Sequence, residues 1–359
     1  MPEAREAVRR MAAYSPPTEG REDALRLDFN ENTVGCSPAV IEFLKSHLTA
    51  GALSIYPEYA AAKRELTDFF AVAHDQILFT NGTDEAIQVL VNTYINDGDE
   101  VLLLRPSYAM YRFYAELAGA ALREIDFPRD LSFPVDALLA AIRPETRAIL
   151  IANPNNPTGS GIDAPEVERI LKSTPDAAVL IDEAYFEFSG VTVLPRLAEY
   201  PNLFVSRTFS KVYGMAAMRF GCLFSQAANI RFLHKAQSPY SVNAVAALAA
   251  RAAIRDQTYI RDFVCESLAA REMIYTGLRE LGIHAFPSRA NFILFDAGDR
   301  ASAICDELRR GNVLVRNRSY EIPGAVRVTA GTRAQAQKFL EELRSIIGTP
   351  SVSEGRKIE

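Results

Sequence analysis

Five short apolar segments, each ending in a polar cluster, constrain the fold of this chain more than any other feature. They occupy residues 100–105, 147–154, 177–186, 202–210 and 220–225. Several are apolar on both faces, as strands are when helices cover both sides of a sheet. Helical patterns lie between some of them, and this alternation is typical of a mostly parallel sheet. The segments therefore predict an α/β fold.

Helical patterns precede and follow these strands. Residues 37–48 begin with Ser-Pro and repeat apolar side chains at helical spacing, and residues 59–72 repeat them in the same way. Residues 76–96 predict a strand, a tight turn and a helix. Residues 239–254 predict an alanine-rich helix.

The pattern changes after residue 254 and indicates a second, smaller α+β domain. Predicted strands at 290–297, 312–318 and 325–332 alternate there with predicted helices at 299–311 and 333–347. The expected organisation is an N-terminal arm over residues 1–30, a large domain over 31–245, a small C-terminal domain over 246–350 and a loose tail over 351–359.

Composition narrows the classes of partner. The 359 residues carry a net charge of −6, and no basic cluster is large enough to make nucleic acid or an anionic membrane an expected partner. No run of about twenty apolar residues is present, so no membrane-spanning helix is expected. The four cysteines lack zinc or redox spacing and suggest a reducing compartment. Because the N-terminus also lacks a signal-peptide pattern, a cytoplasmic location is expected.

The polar clusters that follow the strands hold the candidate functional residues, because ligands of open α/β sheets bind at the carboxyl ends of strands. In "TNGTDEA" (80–86), backbone N–H groups after a glycine turn can bind an anion, although a plain capped helix gives the same pattern.

In "NPNNPTG" (153–159), two prolines and a glycine hold the loop rigid. The loop is either a simple turn or a support that aims the Asn156 amide at a ligand. Asp182 ends an apolar segment, and a buried carboxylate needs a cation from elsewhere in the fold or from a ligand.

The segment "SRTFSKVYGMAAMRFG" (206–221) places Lys211 directly after a predicted buried strand, whereas an isolated lysine is usually a surface residue. Its companions suggest a ligand instead. A phosphate would suit residues 82–84 with Thr208, Ser210 and Arg219; a protonated ring nitrogen would suit Asp182; a phenolate oxygen would suit Asn156 and Tyr185; and an aldehyde would suit Lys211. Pyridoxal 5′-phosphate carries all four groups, so it is the predicted cofactor.

Nine stretches resemble, in order, the fold-type I pyridoxal-phosphate aminotransferases and, within them, the histidinol-phosphate aminotransferase group. They are "LDFNENTVGCSP", "YPEY", "TNGTDEAI", "RPSYAMY", "NPNNPTG", "DEAYFEF", "RTFSKVYGMAAMRFG", "ANFILF" and "VRVTAGT". The spacings agree as well: 26 residues from Asn156 to Asp182, 29 from there to Lys211, and 8 to Arg219. The resemblance covers nearly the whole chain and implies a large domain with a mostly parallel central sheet plus a smaller α+β domain.

The resemblance implies a role for each matching residue. Lys211 is the expected Schiff-base lysine and proton carrier, and Asp182 is the expected partner of the pyridine nitrogen. Asn156 and Tyr185 are the expected donors to the phenolate oxygen, and Tyr108 is expected to stack on the ring. The expected phosphate cup consists of Gly82, Thr83, Asp84, Thr208, Ser210 and Arg219. Tyr56 is expected to reach the cofactor phosphate of a partner subunit, which implies a homodimer.

The resemblance also implies a substrate site. Arg327 is expected to hold the anionic end of the substrate, because a guanidinium binds a carboxylate through two parallel hydrogen bonds. Further candidates on the substrate side are Arg316, Tyr14, Asn32 and, as a residue that could equally be structural, Asn291. The stretch "NENTVG" departs from the family's proline and aromatic ring at Thr33 and Val34, which leaves the choice of substrate open.

The expected reaction is a transamination with a small-molecule amino donor and keto acceptor. L-Glutamate would give its amino group to the cofactor, and imidazole acetol phosphate would take it to become L-histidinol phosphate. Alternatives on the same scaffold are an aromatic amino-acid aminotransferase and a threonine-phosphate decarboxylase. A nicotinamide oxidoreductase is disfavoured because no G-x-G-x-x-G motif is present, and a non-catalytic binding protein would leave Lys211 unexplained.

Overall fold

A computed structural model describes residues 2–12 and 20–348, so Tyr14 and the predicted tail over residues 351–359 lie outside the described residues. The strands, numbered in chain order, are β1 (Leu25–Arg26), β2 (Ile77–Thr80), β3 (Glu100–Arg105), β4 (Ala121–Asp126), β5 (Thr146–Ala152), β6 (Ala178–Asp182), β7 (Leu203–Thr208), β8 (Gly221–Phe224), β9 (Ala285–Phe286), β10 (Phe292–Asp296), β11 (Val313–Leu314), β12 (Arg316–Asn317) and β13 (Ala325–Thr329).

The α-helices are α1 (Glu6–Arg10), α2 (Pro38–His47), α3 (Ala50–Ser54), α4 (Ala60–Phe70), α5 (Gly82–Tyr94), α6 (Ala109–Ala118), α7 (Val135–Ala141), α8 (Ala164–Ser173), α9 (Phe186–Ser189), α10 (Ala227–Ala236), α11 (Ala244–Ala253), α12 (Gln257–Glu280), α13 (Ala301–Arg310) and α14 (Arg333–Gly348). Short 3-10 helices span His74–Gln76, Leu194–Arg196, Ala216–Met218 and Gly298–Arg300.

Seven strands form the central sheet in the order β2-β8-β7-β6-β5-β3-β4. Neighbouring strands are parallel except at β8, which runs antiparallel to both β2 and β7. This arrangement confirms the predicted α/β fold with a mostly parallel central sheet.

Alternate side chains of the central strands enter two different cores. Ile149 and Ile151 of β5 belong to one hydrophobic cluster, whereas Ala148 and Leu150 belong to the other, and all four are fully buried. Because both faces of the sheet are covered, the central strands are apolar throughout rather than alternating. The edge strand β4 is only partly buried.

The smaller sheet has the order β12-β13-β10-β9 and is wholly antiparallel. A third hydrophobic cluster joins this sheet to α12, α13 and α14. Helices α12 and α14 approach closely at Gly277, where an added Cβ would lie 2.6 Å from Leu340 Cδ1. The close approach holds the two long helices as one layer against the sheet.

Two structural features bear on the domain limits expected from the sequence, which stay a prediction. Strand β1, inside the predicted arm over residues 1–30, pairs in parallel with β11, and Leu27 is buried in the core of the smaller sheet. The expected boundary between residues 245 and 246 falls inside α11, whose buried alanines share a cluster with Ile149 of the central sheet. In both cases a segment that is distant in sequence packs into a core, and local sequence patterns do not reveal such packing.

Three further features concern the described ranges as a whole. None of the helices in these ranges is both long enough and apolar enough to cross a bilayer. Their His, Cys, Asp and Glu side chains form no group arranged to hold a metal ion. Cys36, Cys222, Cys265 and Cys305 are free thiols.

The carboxyl ends of β5, β6 and β7 meet at one edge of the central sheet. Strand β6 ends at Asp182 and β7 ends at Thr208, while β5 leads into the loop that holds Asn156. The register pairs Asp182 with Ala152 on one side and with Ser206 on the other. The polar clusters that follow these strands are therefore neighbours in space.

Candidate active site

A cavity of about 250 Å³ lies at this edge, with one wall from the central sheet and another from the smaller sheet. Twelve of the site residues expected from the sequence line it: Thr83, Asp84, Tyr108, Asn156, Asp182, Tyr185, Thr208, Ser210, Lys211, Arg219, Arg316 and Arg327. A larger groove of about 1010 Å³ adjoins the cavity and shares Tyr108 and Ala109 with it, but Lys211 and Asp182 do not line that groove. The smaller cavity is therefore the candidate active site.

Asp182 ends β6 and is only 4% exposed. Its carboxylate accepts hydrogen bonds from Tyr111 Oη at 2.8 Å and from Ser206 Oγ at 2.9 Å. No cationic side chain within residues 2–12 and 20–348 forms an ion pair with it. Burial raises the pKa of Asp182 to about 6, although the hydrogen bonds from Tyr111 and Ser206 oppose the increase. Such a carboxylate favours a cationic ligand group beside it.

Lys211 lies in the loop that follows β7, and its amine faces the phenol of Tyr185. The Lys211 Nζ atom donates to Phe29 O at 2.9 Å and lies 5.9 Å from the centre of the Tyr185 ring. Tyr185 is buried, and its hydroxyl accepts from Asn30 Nδ2 at 2.9 Å. The cavity therefore holds an amine on a flexible stem next to a phenol that Asn30 holds in place.

The start of α5 and the loop after β7 form one end of the cavity. Gly82 has a φ of +74°, and an added Cβ would lie 2.5 Å from Arg219 Nη2, so a side chain at this position would displace the guanidinium. Arg219 donates to Asp84 Oδ2 at 3.0 Å and to Ser210 Oγ at 3.4 Å. A helix N-terminus beside a guanidinium is suited to binding a phosphate.

Two threonine hydroxyls belong to the same end. The Thr83 Oγ1 atom is buried and has no hydrogen-bond partner in the described ranges. The Thr208 Oγ1 atom accepts from the backbone N–H of Ser210 at 3.1 Å, which leaves its own proton free to donate. Both hydroxyls could thus donate to an anion, and a buried Thr83 hydroxyl without a partner is costly unless a ligand supplies one.

Tyr108 stands just before α6, and Asp84 holds it in place. The Tyr108 hydroxyl donates to Asp84 Oδ1 at 2.7 Å. Burial, and then the nearby Asp84 carboxylate, raises the pKa of Tyr108 well above its ordinary value, so the phenol stays protonated. Its ring meets that of Tyr111 edge to face, with 5.6 Å between the centroids. Tyr108 can therefore present a fixed ring to a planar ligand.

Arg327 lies on β13 and is 4% exposed. It donates to Asn156 Oδ1 at 2.5 Å and to Asp28 O at 2.6 Å, while its Nε atom has no partner in the described ranges. It pairs with no carboxylate there, and burial lowers its pKa to about 10, with Arg318 adding to the decrease. A buried guanidinium without a counter-ion favours an anionic ligand.

Two more arginines stand beside Arg327. Arg316 lies on β12 with its guanidinium 5.4 Å from the centre of the Phe29 ring, and it forms no ion pair with a carboxylate of the described ranges. Arg318 is 7% exposed and pairs with Glu321, while its Nε atom lacks a partner among the described groups. This end of the cavity is thus strongly cationic.

The residues present fit pyridoxal 5′-phosphate. The helix N-terminus, Arg219 and the unpartnered Thr83 hydroxyl suit its phosphate. Asp182, buried without a cation of the protein beside it, suits a protonated ring nitrogen. Among the described residues that line the cavity, Lys211 supplies the one amine, the group that can form a Schiff base with the cofactor's aldehyde.

Among the described residues, four of those expected are not part of the cavity lining: Gly82, Tyr56, Asn32 and Asn291. Tyr56 is 72% exposed and stacks on Tyr240 with 4.4 Å between ring centroids. Asn32 is buried with its amide bonded to the backbone: Nδ2 donates to Val212 O, and Oδ1 accepts from Val34 N and Gly35 N. Asn291 is also buried and donates to Asn30 O at 3.2 Å. Tyr14 lies outside the described residues.

Several residues at the site were missed from the sequence. Ser206 lies two positions before Thr208 on the same face of β7, so the strand period of two could have indicated it. Tyr111 lies in the first turn of α6, three positions after the N-cap residue Tyr108, and this spacing of about one turn could have indicated it. No local pattern indicates Asn30 or Arg318, because only the tertiary fold brings them to the cavity.

Comparisons with known proteins agree with this arrangement. The family model for aminotransferase class I and II matches residues 22–343. The chain is similar to the histidinol-phosphate aminotransferase of Geobacillus sp., with 34% identity over 336 residues that cover 91% of each chain. It is also similar to that of Bacillus velezensis, with 34% identity over 361 residues that cover 96% of this chain and 99% of the relative.

A solved structure extends the similarity to three dimensions. The histidinol-phosphate aminotransferase from Sinorhizobium meliloti, in complex with pyridoxal-5′-phosphate, has a TM-score of 0.84 and 25% identity, covering 95% of this chain and 97% of that one. The predicted cofactor and the predicted enzyme class are thereby confirmed. The chain belongs to the class I and II aminotransferase family, and it is an aminotransferase whose cofactor is pyridoxal 5′-phosphate.

Proposed function

We propose that this enzyme exchanges an amino group between L-glutamate and imidazole acetol phosphate, giving 2-oxoglutarate and L-histidinol phosphate. The observation that carries the proposal is the cationic end of the cavity, where the buried Arg327 has no carboxylate partner in the described ranges. Both substrates bring two negative charges, as two carboxylates or as one phosphate. The names of the relatives at 34% identity support the same substrate pair.

When bound, pyridoxal 5′-phosphate supplies an aldehyde that takes up the amino group and a protonated ring that accepts the electron pair of the broken bond. The protein's part is to bind and orient the cofactor and the substrate and to move protons between them. We assign the moving proton to Lys211 Nζ, because this amine enters the cavity and its hydrogen bond to Phe29 O is readily exchanged for one to a ligand.

Three side chains would hold the ring in its reactive state. Asp182 would keep the ring nitrogen protonated, and the hydroxyls of Tyr111 and Ser206 fix its carboxylate for that task. Tyr185 would donate to the phenolate oxygen, since its own hydroxyl proton is free while it accepts from Asn30. Asn156 would donate to the same oxygen, because it lines the cavity and its Oδ1 already accepts from Arg327, which leaves the Nδ2 amide group as the donor.

We further propose the remaining assignments. Residues 82–84, Thr208, Ser210 and Arg219 would hold the cofactor phosphate, and Tyr108 would stack on its ring. Arg327 and Arg316 would bind the substrate anion. We retain a large domain around the central sheet and a small domain around the antiparallel sheet as the proposed division of the chain.

A homodimer is also proposed, with the surface around Tyr56 as the interface. Leu53, Ile55 and Tyr56 are more than 60% exposed, at 68%, 66% and 72%, and Tyr240 beside them is 53% exposed. Neighbouring exposed apolar side chains of this kind are typical of a subunit interface. Analytical ultracentrifugation should show a dimer, and a fully active monomer would contradict the assignment. The free thiols support a reducing, cytoplasmic location.

The decisive experiment pairs Lys211→Ala with the control Lys338→Ala, which changes an exposed lysine of α14. The control should bind the cofactor, fix it covalently on borohydride reduction and convert glutamate plus imidazole acetol phosphate. The Lys211 variant should lose covalent fixation and turnover. Retention of either by the Lys211 variant would show that the assignment is wrong.

Substrate identity is tested with the unmodified enzyme. We expect turnover of glutamate with imidazole acetol phosphate to exceed turnover with phenylpyruvate by a large factor. The reverse preference would indicate an aromatic amino-acid aminotransferase, and release of carbon dioxide from threonine phosphate would indicate a decarboxylase.

A further inference from the structure

Three guanidinium groups converge at the small-sheet end of the cavity, those of Arg316, Arg318 and Arg327. Within residues 2–12 and 20–348, Glu321 is the single carboxylate that forms an ion pair with any of them. The group therefore carries an excess of two positive charges. Arg327 and Arg316 were expected there, but Arg318 has no role in the function proposed above.

The buried cations repel one another. Arg327 is buried, and Arg318 is the charged neighbour that most lowers its pKa after burial itself. Two guanidinium groups that line one cavity, with Glu321 as the one carboxylate paired to either of them in the described ranges, are unfavourable unless an anion enters. The arrangement is thus that of a binding site rather than a structural ion pair.

Arg318 is held in a fixed position. Its backbone N–H donates to Ala325 O at 2.9 Å, and its carbonyl accepts from Glu321 N at 2.9 Å and Ile322 N at 3.0 Å. Its Nη2 atom donates to the Glu321 carboxylate, and its guanidinium lies 5.2 Å from the centre of the Tyr320 ring. Glu321 therefore engages Nη2 of Arg318, while the Nε atom of Arg318 has no partner in the described ranges and the residue lines the cavity.

The charge excess matches a doubly charged group. A phosphate monoester carries close to two negative charges at neutral pH and offers three acceptor oxygens, enough for more than one arginine. An aromatic side chain offers neither. We propose that Arg318, oriented by Glu321, is a specificity-determining residue that binds the substrate's phosphate together with Arg327. This inference rests on the proposed function, because it assumes a phosphorylated substrate.

The test uses the holoenzyme, in which the cofactor already fills its own phosphate cup. Inorganic phosphate is titrated while the cofactor's visible absorption is followed, for the wild type, Arg318→Gln and the control Arg310→Gln on the exposed end of α13. Loss of a charged hydrogen-bond donor should weaken phosphate binding by about 10- to 100-fold in Arg318→Gln and leave the control unchanged. Equal affinity in all three proteins would overturn the proposal.

A second measurement separates recognition from structure. The ratio of kcat/KM for L-histidinol phosphate to kcat/KM for L-histidinol should fall by about 10- to 100-fold in Arg318→Gln. An equal loss for both compounds would show a structural role instead. Glu321→Gln keeps an acceptor oxygen for Arg318 but removes a negative charge, so it should bind phosphate more tightly than the wild type; weakening equal to that of Arg318→Gln would contradict the assigned orientation.

The two readouts distinguish this inference from the proposed function. If phosphate binding depends on Arg318 but the wild type does not convert L-histidinol phosphate, the anion site stands and the proposed substrate is wrong. If the wild type converts L-histidinol phosphate while Arg318→Gln keeps full phosphate affinity, the proposed function stands and the role of Arg318 is refuted.

Discussion

Replacing Asp182 by asparagine should stabilise the cofactor-free protein, although it removes a residue of the active site. The carboxylate is buried without a cation of the described protein, and burial raises its pKa to about 6 from the ordinary 3.8. This difference corresponds to about 3 kcal/mol that the ionised group costs the folded state at pH 8. Asparagine avoids the charge but makes weaker hydrogen bonds with Tyr111 and Ser206, so the net gain should be about 1–3 kcal/mol.

The pH dependence of this gain tests its electrostatic origin. The pKa of Asp182 is higher in the folded protein than in the unfolded chain. The resulting stabilisation of the wild type is therefore fully present below pH 3.8 and is lost as the pH rises through 6. The advantage of Asp182→Asn should therefore be about 1.4 kcal/mol smaller at pH 5 than at pH 8, because the cost of the ionised carboxylate is only about half as large there. Urea unfolding of the cofactor-free proteins measures it, with the exposed Asp262→Asn of α12 as the control.

Two results would refute the reasoning. One is a cofactor-free variant that is less stable than the wild type at pH 8. The other is a stability difference that does not change between pH 5 and pH 8. The cofactor should reverse the order, because its protonated ring nitrogen supplies the missing cation to Asp182 and cannot do so for asparagine. Added stability on cofactor binding should thus be larger for the wild type.

Three other substitutions test neighbouring parts of the site. Gly82→Ala should raise the cofactor dissociation constant by about tenfold, since the methyl group would meet Arg219 Nη2 at 2.5 Å and the φ of +74° disfavours alanine; an unchanged constant in a fluorescence titration would contradict this. Arg207→Met should cost about 3–5 kcal/mol of stability by leaving the buried Glu183 unpaired, whereas the double variant with Glu183→Met should regain most of it in urea unfolding. Arg327→Lys should raise KM for glutamate by about tenfold, because lysine cannot form two parallel hydrogen bonds; steady-state kinetics would show no change if Arg327 does not contact substrate.

The sequence predicted the parts of the site that depend on strand ends. Asp182 and Thr208 close two apolar strands, and parallel strands bring their carboxyl ends together whatever the loop sequences are. Lys211 and Arg219 follow in the next loop, so they lie near Thr208 for the same reason. Local order along the chain was therefore enough to bring together the part of the cavity lining that follows these strands.

The parts that the sequence did not predict depend on packing between distant segments. Helix α12 has no counterpart among the predicted elements, because Ser267 and Gly277 occupy two of its buried positions and interrupt the apolar pattern. Gly277 is small where α14 approaches, a reason that exists only in the folded protein. Strand β1 likewise has two residues and becomes a strand through its pairing with β11.

The cavity contains a carboxylate and a guanidinium that do not pair with each other. This explains how one site could bind both a cofactor and two different substrates. Within residues 2–12 and 20–348, Asp182 faces the cavity on the sheet side without a cationic partner, and Arg327 faces it on the small-sheet side without a carboxylate partner. The two cannot neutralise each other, because Asp182 is bonded to Tyr111 and Ser206 while Arg327 is bonded to Asn156 and the backbone of Asp28. Each end is therefore left for a ligand group of opposite charge, and the electrostatic cost in the empty protein becomes binding free energy when that group arrives. Under the proposed assignments the sheet end would select a protonated ring and the arginine end a doubly charged anion, so a change at one end should leave the selection at the other end intact.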